Sequence, residues 1–248
     1  MPKTESAKRQ PKQLEHGHSP DEIAARLASV KSPSHLRDVI YGGVDGAVTT
    51  LAIVAGVQGA GLSTNVIIAL GIANVLADGF SMAAGNFTGT QAEAEDVERL
   101  RAIEQRHIAE APDGEREELR QILEAKGLSG ENLQLATSAI ASRRRAWIDL
   151  MLVDEYGVSP TPPAPLKAAL ATFGAFILAG FVPLLPFLVG LTNAFQVSIV
   201  ATFAVFFAIG ALRSRWSVRP WWRTAIETLL IGGCAALIAF GVGRLFHA

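Results

Sequence analysis

Apolar positions in this chain are gathered into five blocks, residues 40–60, 66–87, 168–190, 195–212 and 224–242, with charged segments between them. Each block is close to the ~20 residues a helix needs to cross a bilayer, and a helix satisfies its own backbone groups there. The pattern predicts an all-α protein, a five-span membrane helical bundle. Composition alone would not say so: 50% hydrophobic residues and a mean hydropathy of +0.30 are only mildly apolar. It is the clustering that marks the class.

The segments between the blocks divide the chain. Residues 1–35 are polar, hold no apolar run of signal-peptide type, and read as a disordered tail. Residues 36–89 carry spans 1 and 2, residues 90–162 form an insert, and residues 163–248 carry spans 3 to 5. Ala, Glu, Arg, Leu and Gln dominate the insert, with breaks at 111–114 and 127–130 and a stop at Gly157 and the Pro-rich run after it. Three helical pieces of roughly 20, 12 and 25 residues follow. They form a small domain or extend the membrane helices. Pro183 and Pro186 predict a kink in span 3.

Basic residues set the orientation. Lys3, Lys8, Arg9, Lys12, Arg26, Lys31 and Arg37 precede span 1, and Arg213, Arg215, Arg219 and Arg223 crowd the last connection. The connections after spans 1 and 3 have no Lys or Arg. By the positive-inside rule the N-terminus and the insert face the cytosol and the C-terminus lies outside, with Trp216, Trp221 and Trp222 as an interfacial belt. A bacterial inner membrane, rather than a vacuole, is the expected location. Residues 91–157 hold 15 of the 23 acidic residues against 9 of the 22 basic ones, a surface unsuited to nucleic acid. Cys234 is alone, which excludes an internal disulfide and a cysteine metal site. His16 and His18 read as part of the polar tail.

Two carboxylates change this picture. Asp45 and Asp78 lie inside spans 1 and 2, where an acid costs ~2.5–3.5 kcal/mol even on mild scales. No Lys or Arg occupies a span interior to pair with them, so a travelling cation or proton is the expected partner. Asn74, Asp78, Met82 and Asn86 recur every four residues along one face of span 2, Asp45 and Thr49 are one turn apart in span 1, and Asp38 lies two turns before Asp45. Oxygen, amide and thioether groups make a reasonable path for a divalent transition metal. Interhelical hydrogen bonding is the plainer account of Asn74 and Asn86, and packing that of Met82.

The insert repeats the theme. Glu104 and His107, Glu115 and Glu118, and Met151 and Glu155 each share a helical face. A Glu-x-x-His pair facing carboxylates from other helices is how bundles hold iron or manganese. The competing account is a set of solvated acidic faces paired with Arg.

The runs YGGVDGAVTTLAIVAG, ANVLADGFSMAAGNF, WIDLMLVDEYG and GFVPLLPFL, in that order, resemble the vacuolar iron transporter family over nearly all of residues 36–248. The resemblance implies a homodimer of five-span subunits that exchanges Fe(II), and often Mn(II) or other divalent ions, for protons and moves metal out of the cytosol. The metal is cargo and no resident cofactor is implied. It also implies that Asp45 and Met82 line the path, and that Glu104, Glu115, Glu118, Met151 and Glu155 collect metal in the insert. Three positions depart from the family pattern: His107 stands where glutamate is frequent, Leu152 where a second methionine is, and Asn86 where many members have glutamate. A membrane-anchored di-iron enzyme and a non-conducting metal sensor are the alternatives. The single Glu-x-x-His pair argues against an enzyme, because such bundles generally use two.

Overall fold

A computed structural model describes residues 18–28, 34–214 and 220–246. Lys3, Lys8, Arg9, Lys12, His16, Lys31, Arg215, Trp216 and Arg219 lie outside the described residues. All regular structure among those described is helical.

Among the described residues of the tail, Pro20–Ala28 form helix α1. A capping box starts it. Ser19 Oγ lies 2.6 Å from Glu22 Oε2 and 3.3 Å from the Glu22 amide, and Glu22 reaches back to the Ser19 amide at 3.1 Å. Pro20 at the first helical position and Asp21 in the first turn add to the signal.

The remaining residues form a separate unit. Five of its helical segments are long and apolar enough to cross a membrane. Helix α2 (Leu36–Gly59) is span 1, and Gly61, at φ 71°, turns the chain into α3. Helix α3 (Thr64–Glu110) runs unbroken for 47 residues, about 70 Å at 1.5 Å per residue. That is more than twice the hydrocarbon thickness of a bilayer. The first expected insert piece is therefore the distal half of α3, continuing span 2 through Ala, Glu and Gln, which favour helix in water.

Three short helices follow: α4 (Pro112–Ala125) and α6 (Arg144–Asp154) fold back on that distal half, and α5 (Gly130–Ala141) packs against both of them. The single last piece expected of the insert is two helices. Ser142 Oγ bonds back to the Ala139 carbonyl at 2.8 Å, and Arg143 leaves the helical region at φ −118°, ψ 85°. Leu119, Leu123, Leu133, Trp147 and Met151 form one apolar core here, and Leu100, Ile148 and Leu152 join α3 to α6 in another.

Span 3 is α7 (Pro165–Phe181) and α8 (Leu185–Leu188), separated by a 3-10 turn at Val182–Leu184, so the two prolines interrupt it as expected. Ser198 of α9 (Ala194–Ser214) donates to the Pro183 carbonyl at 2.7 Å, satisfying an acceptor at the interruption. Helix α10 (Trp221–Leu245) is span 5.

Helix α2 lies at the centre, packed against α3, α7, α9 and α10. Close approach requires glycine: a Cβ on Gly46 would run into the Phe176 carbonyl of α7, and one on Gly243 into the Gly56 carbonyl of α2. Leu178, Leu230, Leu237 and Ile238 are exposed on the outside, as lipid-facing side chains must be.

Candidate functional site

Two sites share helix α3. Near its far end, Glu104 and His107 lie on one face, and the reversal at Ala111 with Pro112 at the start of α4 brings Glu115 back against them. His107 Nδ1 is 3.3 Å from Glu115 Oε1 and 3.9 Å from Glu104 Oε1. One ligand atom from each of the three residues lies within 4.8 Å of the others. The side chains of Glu104 and Glu115 are 1% and 9% exposed.

Tyr156 donates its hydroxyl to Glu104 Oε1 at 2.9 Å. The other oxygen of Glu104, Oε2, and Oε2 of Glu115 are both buried without a hydrogen-bond partner. Buried polar atoms without partners cost about 1–3 kcal/mol each, more when charged, so a native structure that keeps two in one cluster needs a reason. A cation between the carboxylates would satisfy both oxygens, and so would a proton shared by Glu115 and Glu104.

The electrostatics agree. Burial pushes Glu115 above the usual carboxylate range, and the charges of Glu104 and Glu118 push it further, while His107 opposes them. Glu155 is raised by burial and then by Glu118, so it also belongs to the group. Burial beside Glu104 and Glu155 raises the Tyr156 phenol and keeps it a donor. Glu117, two residues from Glu115, behaves oppositely: on the solvent face of α4, Arg120 and Gln121 hold it down at about 2. Met151 is fully buried in the apolar core with Leu119 and Trp147.

The second site is the row on α3 within the bundle. Asn74, Asp78, Met82 and Asn86 are all half-buried, as are Asp45 and Thr49 on α2. Asn74 Nδ2 donates to Thr49 Oγ1 at 3.4 Å, and Thr49 Oγ1 donates to the Asp45 carbonyl at 2.9 Å. Asp78 lies close enough for its charge to act on Asp45. Among the described residues no hydrogen bond or ion pair reaches the carboxylate of either. Nearer the insert, Asn86 Nδ2 lies 3.0 Å from Asp38 Oδ1 and 2.7 Å from Thr172 Oγ1, Thr90 bonds Asn86 Oδ1 at 3.3 Å, and His35 sits 3.2 Å from Asp38.

Residues 36–244 match the sequence profile described as the VIT family. The chain belongs to the VIT family. It is 31% identical over 212 residues to vacuolar iron transporter 1 of Eucalyptus grandis, covering 84% of this chain and 85% of that protein. The corresponding protein of Arabidopsis thaliana is 30% identical over 213 residues, 85% of each chain. The vacuolar iron transporter of Toxoplasma gondii is 31% identical over 228 residues, 87% of this chain and 76% of that one. VIT family members are transporters, so the enzyme alternative raised by the Glu-x-x-His pair falls.

Within this VIT family member the structure brings Glu104, His107 and Glu115 together, with Glu118 and Glu155 in electrostatic reach. Sequence reasoning missed His35, Thr90, Thr172 and Tyr156. Thr172 gives no signal in its own span. Tyr156 gave one, a phenol next to Glu155 in a chain with only two tyrosines.

Proposed function

We propose that the protein is a proton-coupled exporter of Fe(II), with Mn(II) and related divalent ions as further cargo, working as a homodimer with the insert in the cytosol. The supporting observation is the pair of buried, unpartnered carboxylate oxygens on Glu104 and Glu115, where Glu104 and His107 lie on the same unbroken helix that carries Asp78 and Met82 and Glu115 faces them from α4. Carboxylate and imidazole suit Fe(II) and Mn(II). Iron is also the ion for which these relatives are named.

The insert collects the ion. Glu104, His107, Glu115, Glu118 and Glu155 gather it, with Met151 as a softer auxiliary donor. The path then runs about 33 Å down α3, from Glu104 to Met82. Asp38 and Asn86 guard its entrance, and Asp45, Thr49, Asn74, Asp78 and Met82 line it. A proton arriving at Asp45 from the far side competes for the oxygen lone pairs that hold the metal and releases it. The half-buried polar row, flanked by Leu76 and Phe80, exposed at 51% and 69%, is where a second subunit closes the path away from lipid.

The test is Fe(II) flux into proteoliposomes under an imposed pH gradient. Asp45→Asn is expected to abolish it while the insert still binds metal. Unchanged flux in that variant would overturn the path, and flux indifferent to the gradient would overturn the coupling.

A further inference from the structure

Glu104 is the most enclosed ligand of the cluster, and its position is not set by its own helix alone. The second anchor comes from the end of α6. There Gly157 adopts φ 69°, the left-handed region that favours glycine, and the Val158 amide bonds the Leu152 carbonyl at 2.9 Å, closing the reversal. This turn fixes Tyr156. Its ring packs on the small core of Leu100, Ile148 and Leu152, and its hydroxyl reaches 2.9 Å to Glu104 Oε1 across 52 residues of sequence.

A flexible glutamate in a cluster of like charges has every reason to swing away. A phenol that donates to one oxygen removes that freedom and leaves the second oxygen free to bind. In Glu104 that second oxygen, Oε2, is buried and unpartnered.

We propose that Tyr156 is a positioning residue of the metal cluster: its hydroxyl holds one oxygen of Glu104 so that the other is presented, with Glu115 and His107, to the arriving ion. This rests on reading the cluster as the metal-collecting site. Groups that orient ligands in this way typically contribute about 10–100-fold in metal affinity. Tyr156 also ties the cluster to the turn of α6, so the ion's hold on α3 and α4 is registered by a third helix.

Co(II) titration of the full-length protein in detergent, read by calorimetry and by the Co(II) absorption bands, tests the idea. Tyr156→Phe keeps the ring and its packing and removes only the hydroxyl. It is expected to weaken Co(II) binding about 10–100-fold and to alter the bands. Glu104→Gln and the double variant complete a cycle. If Tyr156 acts through Glu104, the second substitution adds little once Glu104 is gone.

Unchanged affinity and bands in Tyr156→Phe overturn the proposal, as does an equal loss in both backgrounds, which marks a general packing effect. A parent protein that binds no Co(II) overturns the reading of the cluster itself, and this proposal with it. A parent that binds while Tyr156→Phe matches it overturns this proposal alone.

Discussion

The two sites on helix α3 are built in opposite ways. In the insert the proposed ligands are preassembled and enclosed: two glutamates are almost fully buried, one tied by Tyr156, and each keeps an oxygen without a hydrogen-bond partner. In the bundle the polar groups are half-exposed, Asn74 bonds Thr49, Asn86 bonds Asp38, and Asp78 is within electrostatic reach of Asp45. The first arrangement suits holding an ion. The second suits passing one, because a weaker set, each member partly occupied with a neighbour, lets an ion leave as readily as it arrives.

That contrast predicts separable defects. Glu104→Gln with Glu115→Gln is expected to cost more than the about 10–100-fold that an orienting partner is worth in metal affinity, while flux at saturating Fe(II) persists. Asp45→Asn is expected to do the reverse. Calorimetry on the purified variants and flux in proteoliposomes would show it. A double variant that binds like the parent would break the comparison, and so would one that loses flux at every metal concentration.

Acidification should sharpen the contrast at the insert. Burial and neighbouring acids raise Glu115 and Glu155, so the folded protein holds protons there that the unfolded chain gives up. The sign is fixed by that direction. The stabilising contribution is fully present below the unfolded carboxylate values and is lost as pH rises through the raised folded ones. The metal-free protein is therefore under repulsive load at neutral pH and gains stability from this cluster as pH falls toward the ordinary glutamate range. A bound ion inverts the trend, because protons then displace it. Glu115→Gln removes part of the load, and a gain of about 2–4 °C in metal-free melting temperature at neutral pH is expected, shrinking as pH falls. Thermal unfolding of both proteins at several pH values checks this. Parallel curves for parent and variant would refute it.

The parts legible in the sequence were those set by local pattern. Five apolar blocks became five spans, and the prolines interrupted the third, because lipid demands a continuous apolar helix and proline removes a backbone donor. Glu104 and His107 were legible as a pair because three residues is a helical repeat. What stayed hidden was set by distant contact or by subtle local chemistry. No residue announced that α3 would cross from lipid to water without a break, since the change of solvent is not a helix boundary. The end of α5 at Ser142 and Arg143 carries neither Gly nor Pro. In the run GEREEL nothing tells Glu115, buried, from Glu117, solvated, until α3 lies against α4. Tyr156 and Thr172 meet their partners across 52 and 86 residues, beyond the reach of spacing arguments.

Asn74 offers the smallest and most discriminating test of the bundle site. Its bond to Thr49, at 3.4 Å, is at the long limit of a useful hydrogen bond. Interhelical side-chain bonds of this kind average only ~0.6 kcal/mol, so if Asn74 were there to hold α2 and α3 together it would do so poorly. A lining role asks less of that bond: the amide needs only to rest against Thr49 while the path is empty and to turn its oxygen to a passing ion. Asn74→Ala is accordingly expected to leave stability within about 0.6 kcal/mol of the parent and to slow Fe(II) flux several-fold. A variant with full flux and a stability loss well above that figure would make Asn74 a structural clasp, and the path would then narrow to Asp45, Asp78 and Met82.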